Sequence, residues 1–505
     1  MNHMLETWPF AAVWLIGWLA SLVAPPRMLW QVAKLTSLSA LLCAVMLVLF
    51  SAFSAAPADR VGLVVIVLVA ILGWVVTRFA KHYLQGEPNQ IMFIQFTLFT
   101  LANVGLIVVS DHLLLMLLGW SLTSVGLHKL LLFYHQRRAA QIVSHKKFII
   151  SRLADVLLLM AVTFTYIDVG SLNLAEINTH VTEFSELSIW LELTIVLVAL
   201  AAILKTAQLP LHGWLIQVME APTPISALLH AGVVNLSGFV LLRMAPMLAQ
   251  SDIAQALLVV VGSLSAALAA LVMLTRISIK VRLAWSTCAQ MGFMLMEIGL
   301  GLYELALLHL VAHSLYKAYA FLSAGEAVEQ ARLQRLLDPA YSVTRKNLYV
   351  LSPLFSAAVI GVSFVVWQWV LPQFHVSWVA LIILTIGFAP LLWPQRDMTA
   401  KLFRLGLLRV FMLTQLYFIW HLLFAAAVPS QGDTHIALVV WVAFVFVALF
   451  GLQLLVQLYP QHKWSRRLYP WAYNGFYLDE RFTLITFKIW PLPPAQTDAS
   501  KEIIS

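Results

Sequence analysis

Charge is scarce in this chain. Only 11% of its 505 residues are Asp, Glu, Lys or Arg, against 61% hydrophobic, and the mean hydropathy is +0.88. A water-exposed globular fold of this length needs far more polar surface, so that class is excluded. Cysteine is nearly absent. Cys43 and Cys288 are the only two, both inside apolar runs, which excludes a disulfide framework and Cys-based metal clusters. No Gly-rich phosphate loop, Walker pattern or nucleotide fingerprint interrupts the chain, so nothing suggests ATP hydrolysis or NADH binding here. No basic stretch precedes the apolar segment Trp8 to Val23, which therefore reads as a first span and not a cleaved signal.

What the chain does have is one apolar run after another. A span plus its loop takes about 30–35 residues, so the length allows about fifteen. The runs fall near 8–23, 34–53, 61–79, 91–109, 111–133, 148–167, 188–209, 224–245, 255–275, 281–301, 304–324, 348–371, 377–393, 405–428 and 436–459. The fold class is an all-α polytopic membrane protein. Odd-numbered loops carry the bases: Arg27 and Lys34, Arg78 and Lys81, Arg137, Arg138, Lys146 and Lys147, then Arg276, Lys280 and Arg282. Arg332, Arg335, Arg345, Lys346, Arg396, Lys401 and Arg404 follow the same rule, as do Lys463, Arg466 and Arg467 in the tail. Even-numbered loops hold Asp111, Asp168, Glu176, Glu183, Glu186, Asp252, Glu304 and Asp433, with Arg60 their one clear base. The positive-inside rule then predicts an outside N-terminus and a cytoplasmic C-terminus, and the formal charge of +8 reflects these loops and not nucleic-acid binding.

A few polar residues interrupt the apolar runs. In the stretch from Ala306 to Ser323, His309, His313 and Lys317 recur at i, i+4 and i+8 and so stack on one helix face. A lysine at the bilayer centre costs about 2.5–3.5 kcal/mol, which makes an ion pathway the default reading. Histidines at i and i+4 can also share a metal, but no further ligand accompanies them and Lys317 would repel a cation. Lys205 lies in the seventh run, and Pro210 breaks that helix about a turn later. The pair is either an ion site at a broken helix or a Pro kink with a snorkelling lysine. His230, about two turns into the eighth run, is either a relay group or a hydrogen-bonded packing residue. Asp155 has Arg152 at i−3, as a structural or a switching ion pair.

Three stretches resemble the large antiporter-like membrane subunits of respiratory complex I (NuoL), of Mrp-type cation antiporters and of inorganic-carbon accumulating complexes. They are Lys205 to Trp214 (KTAQLPLHGW), Ala221 to Gly232 (APTPISALLHAG) and Leu283 to Phe293 (LAWSTCAQMGF), and the 306–323 helix belongs with them. The resemblance runs from about residue 90 to 330 and implies two inverted five-helix repeats, each with a broken helix. It divides the chain into N-terminal helices (1–90), a first repeat (91–245), a second repeat (255–393), C-terminal helices (405–459) and a cytoplasmic tail (460–505). It also implies a central row of charges, matched by Lys205, His230, His313 and Lys317, and assigns Arg152 and Asp155 to a family pair.

The departures narrow the branch. Complex I-type members carry a glutamate after a tryptophan in the fifth span, where this chain has Trp120 followed by Ser121. His128 and Lys129, further along, are either replacement titratable groups or, for Lys129, a side chain snorkelling to the basic loop. The twelfth span, Leu348 to Leu371, has Pro353 and Gly361 as partial breakers but lacks the family's lysine. The chain ends soon after Asp479 and Glu480, where complex I members continue into a lateral helix. These features look most like the DabB branch. They imply a subunit of a bacterial inner membrane that admits protons or sodium ions down their gradient and drives a DabA-like zinc protein related to carbonic anhydrases. On this reading the chain holds no cofactor, zinc and catalysis lie in the partner, and the 325–347 loop and 460–490 tail grip it. Other readings are a subunit of a complex I-like or hydrogenase-type redox complex, an Mrp-like antiporter subunit, or a membrane scaffold.

Overall fold

The computed structural model describes residues 2–53, 59–184, 186–326, 346–393, 400–428 and 435–491. Helix formation follows from the apolar runs, because a backbone in lipid must satisfy its own hydrogen bonds. Among the described residues, eleven helices are long and apolar enough to cross a membrane, and Thr7–Val23 and Trp378–Leu392 are shorter apolar helices. The helices that carry the argument are α1 (Asn2–Val23), α2 (Leu29–Phe53), α3 (Arg60–Tyr83), α4 (Gln90–Val109), α5 (Leu113–Leu131) and α6 (Arg138–Val169). They continue with α7 (Leu174–Glu183), α8 (Ile189–Lys205), α9 (Gly213–Ile216), α10 (Thr223–Ala231), α11 (Leu236–Arg243) and α12 (Ala245–Ala249). The second half comprises α13 (Asp252–Leu274), α14 (Ile279–Gly299), α15 (Tyr303–Leu322), α16 (Lys346–Val370), α17 (Trp378–Phe388), α18 (Ala400–Ala425), α19 (Ile436–Leu458), α20 (Lys463–Tyr473) and α21 (Leu478–Ile489).

Burial separates centre from periphery. The Thr223–Arg243 segment lies almost wholly within the protein, whereas most residues of Ile436–Leu458 are half-buried or exposed at its periphery. Helices α13 and α14 cross where neither carries a side chain. A Cβ added at Gly262 would lie 2.5 Å from the Gly292 carbonyl oxygen, and one at Gly292 would lie 2.6 Å from that of Gly262. Small residues let backbones touch where lipid offers no hydrophobic drive between helices.

Several expectations are corrected here. The helix expected over 188–209 ends at Lys205, ahead of Pro210. Ala207 takes a left-handed backbone (φ 55°), and Leu209–Pro210 is a cis peptide. A residue before proline is disfavoured in the α region, so the chain leaves the helix before the ring and not at it. The eighth run is itself interrupted after Ala231, at Gly232, before α11 resumes. In the twelfth run the partial breakers break nothing, because α16 passes through Pro353 and Gly361. Lys146 and Lys147, counted among loop charges, lie inside α6 and are buried. The expected partner-gripping loop 325–347 falls largely outside the described residues, as does the tail beyond residue 491.

Candidate ion-translocation site

The first cluster is built around the break after α8. Lys205 Nζ donates to Asp155 Oδ1 at 2.8 Å, and Arg152 Nη2 lies 2.7 Å from Asp155 Oδ2. The Ser121 hydroxyl donates to that same Oδ2 at 2.9 Å, and the Trp120 ring centroid is 4.8 Å from Lys205 Nζ. Ser121, on α5, therefore holds a carboxylate supplied by the next helix. One acid faces two bases, and the side chain of Lys205 is only 5% exposed, so the pair is desolvated on the lysine side. One turn toward the start of α6, Lys147 Nζ donates to the Ser124 carbonyl at 2.7 Å. His128 Nδ1 sits 2.7 Å from the Ser144 hydroxyl on the same helix, whereas Lys129 is exposed and stands apart.

A C-terminal strap closes this cluster from one side. The fully buried Lys146 donates to both carboxylate oxygens of Asp479, at 3.0 and 2.8 Å, and Gln217 Nε2 donates to Asp479 Oδ2 at 3.0 Å. Asp479 opens α21, where a carboxylate also suits the helix N-terminus. A Cβ at Gly213 would collide with the Asp479 carboxylate, so the start of α9 must be glycine for the strap to seat. Trp490, just past α21, stacks on His145 with ring centroids 3.9 Å apart and 7° between the planes.

The second cluster surrounds α15. Lys317 is fully buried, and its Nζ donates to the Leu283 carbonyl at 2.8 Å. His230 is fully buried against the Phe321 ring, with centroids 4.5 Å apart. Among the described residues, both ring nitrogens of His230 and both of His313 lack a hydrogen-bond partner. His309 follows His313 at a centroid separation of 6.1 Å, and its Nδ1 meets Glu297 Oε2 at 2.8 Å. Asn235, in the interrupted stretch after α10, donates to the Ser314 hydroxyl at 2.6 Å and pins that stretch to α15. The unwound chain after Lys205 joins the clusters: Cys288 Sγ on α14 donates to the Ala207 carbonyl at 3.2 Å, and the buried Gln208 packs against Gly292.

The structure thus gathers Lys205, Asp155 and Arg152 into one group and His230, His309, His313 and Lys317 into another, with Pro210 in the unwound link between them. Five contributors were not anticipated: Ser121, Lys147, Glu297, Glu304 and Asp479. Glu297 had a usable signal, as the one acidic residue in the 281–301 run, by the same cost argument applied to Lys317. The other four depend on which helix faces which, and residue spacing does not encode that.

Residues 110–390 match the family described as "NADH:quinone oxidoreductase/Mrp antiporter, TM". The "Probable inorganic carbon transporter subunit DabB" of Hydrogenovibrio crunogenus is 37% identical over 436 residues, covering 86% of this chain and 83% of that protein. The "NADH-quinone oxidoreductase subunit L" of Escherichia coli is 30% identical over 275 residues, covering 54% of this chain and 44% of that protein. In structure, a chain of the Mrp complex from Dietzia sp. superposes with a TM-score of 0.65 at 19% identity, over 95% of this chain and 60% of that one. That likeness speaks to fold alone. With a buried lysine at a helix break and matches of this extent, the chain belongs to the NADH:quinone oxidoreductase/Mrp antiporter transmembrane family, as a multi-pass membrane subunit of the ion-translocating type with DabB-type relatives along most of its length.

Proposed function

We propose that this chain is the membrane subunit of an energy-coupled inorganic carbon uptake complex. Protons or sodium ions pass down their gradient along Lys205, His230, His313 and Lys317 and drive a DabA-like, zinc-containing partner related to carbonic anhydrases. The observation that carries the reading is the pair of buried lysines, one ion-paired beside a broken helix and one near His230 and His313, whose ring nitrogens lack hydrogen-bond partners among the described residues. Long alignment with DabB-type chains favours carbon uptake over the other family roles. Fifteen spans, two inverted repeats, an outside N-terminus and a cytoplasmic C-terminus complete the arrangement, with the basic loops facing the cytoplasm. One charge crossing 100 mV supplies about 2.3 kcal/mol, enough to shift a partner's conformational equilibrium roughly fiftyfold.

Asp155 is the switch in this mechanism, since it is shared between Lys205 and Arg152. When it pairs with Arg152 alone, Lys205 is left beside the Trp120 ring with its charge uncompensated, and a proton moves on. The test is Lys205→Ala and Lys317→Ala in the assembled complex. Both abolish ion-driven bicarbonate accumulation while the complex still elutes intact, and full accumulation in both variants would sink the relay. The family match, whose description includes Mrp antiporters, supports a second reading, a cation–proton antiporter subunit. Sodium–proton exchange by the purified chain, with no zinc protein co-eluting, selects it; co-elution with iron–sulfur subunits selects a redox complex instead.

A further inference from the structure

Beyond Lys317 the expected lysine of the second half-path is missing, yet the protein buries another set of proton-exchanging groups there. Glu297 near the end of α14, Glu304 and His309 on the first turns of α15, and Tyr417 and His421 on α18 converge at one end of the bundle. This is the end that α14 reaches after crossing from the basic loop at 275–278. His309 Nδ1 meets Glu297 Oε2 at 2.8 Å, and His421 Nδ1 lies 3.9 Å from Glu304 Oε1. The Tyr417 ring lies 6.2 Å from the His421 ring, centroid to centroid. His421 Nε2 meets the carbonyl of His375 at 2.8 Å, and His375 is exposed on the loop between α16 and α17. The chain of groups therefore runs from the central histidines to the surface.

Packing alone does not account for the cluster. Glu304 is only 3% exposed and His421 6%, and a carboxyl held in an apolar bundle without a full set of partners is costly. Among the described residues Glu304 Oε2, His309 Nε2, His421 Nδ1 and the Tyr417 hydroxyl lack hydrogen-bond partners, and these are polar atoms in the interior that a structural ion pair would satisfy. Imidazole, carboxylate and phenol alternate here, and each passes a proton by taking one atom's proton and releasing another's. The all-oxygen shell that a hard cation prefers is not what this mixture offers.

We propose that Glu297, His309, Glu304 and His421 form the outer branch of the ion path, and that the ion it carries is the proton. This rests on the relay reading above. His309 accepts a proton at Nε2 from the His313 side while its Nδ1 proton passes to Glu297. The carboxyl then hands it to Glu304 and on to His421 Nδ1, whose Nε2 proton leaves to water at the surface; each imidazole ends as its other tautomer and resets by ring rotation or tautomer exchange before the next proton, with no other reactant consumed. The direction reverses with the gradient. A single water spans gaps of the Glu304–His421 length.

The test uses the full chain with its co-purifying partner in phosphatidylethanolamine–phosphatidylglycerol liposomes. A trapped pH dye reports proton flux under an imposed gradient. Glu297→Gln is expected to cut flux at least tenfold and Glu297→Asp to restore at least a third of it. His435→Ala, which removes an exposed pair with Asp252 at the same end, leaves flux unchanged. A Glu297→Gln/Glu304→Gln double variant within twofold of wild type, beside a Lys317→Ala chain that carries none, overturns the branch and spares the relay. Full flux in Lys317→Ala overturns the relay itself. Flux through the wild type driven by a sodium gradient alone overturns the assignment to protons. Should the glutamine variants fail to assemble, His421→Cys in a Cys43→Ser background supplies an independent reading. An impermeant cationic thiol reagent modifies it from the face opposite the basic loops; modification only from the basic face, or none, overturns the branch.

Discussion

Lys205 and Lys317 are both buried amines on helices of the same bundle, and their surroundings differ in kind. Lys205 ends a helix and meets a carboxylate at 2.8 Å that is shared with Arg152 and steadied by the Ser121 hydroxyl. Lys317 sits within a continuous helix and donates to one backbone carbonyl. No acidic side chain pairs with it among the described residues; the imidazoles of His230 and His313 and the Tyr316 ring, 5.8 Å from its Nζ, are among its neighbours. A charge held in an ion pair moves only when its partner lets go, whereas a charge held by a carbonyl is free to leave as a proton. The first site is built as a switch and the second as a relay step.

Three substitutions break or sharpen that contrast. Asp155→Asn leaves Lys205 buried without its counter-charge, and removing one partner of a buried pair costs about 3–5 kcal/mol. It should lower the apparent Tm of the detergent-purified chain, followed by tryptophan fluorescence, by the largest margin of the three. Ser121→Ala removes one hydrogen bond to a carboxylate, worth about 1.5–3 kcal/mol, so an intermediate drop in Tm is expected. Lys317→Met, of similar volume and without a counter-ion to orphan, should leave Tm within error or raise it, since a buried charge gives way to an apolar chain. If Lys317→Met destabilises as much as Asp155→Asn, the two lysines are held alike and the contrast fails.

Much of this was legible in the sequence, and the reason is the solvent. Lipid forbids unpaired backbone, so apolar runs became helices close to where spacing put them, and isolated charges inside those runs marked the site. Lys205, His230, His313 and Lys317 are the candidates that this reasoning picks out, and the structure buries all four. The helix ends were less legible, because Pro210 announces a break but Ala207 executes it and Gly232 interrupts a run that reads as continuous. Pairing across helices was not legible at all. Nothing local to Ser121 or Glu297 says that Asp155 or His309 will face it, since those contacts depend on how α5 meets α6 and α14 meets α15. Lys146 was misread for a related reason: in sequence it borders a basic loop, and only the returning strap shows that its charge is buried against Asp479.

That strap has a bearing on how the protein is made. Lys146 and Asp479 lie 333 positions apart, so the ribosome delivers the lysine long before the acid that neutralises it. Through the synthesis of helices α8 to α19, the start of α6 holds an amine whose carboxylate partner has not yet been made. The contact between Lys146 and Asp479 is thus among the last to form, and a chain cut short before Asp479 lacks the carboxylate that pairs with Lys146.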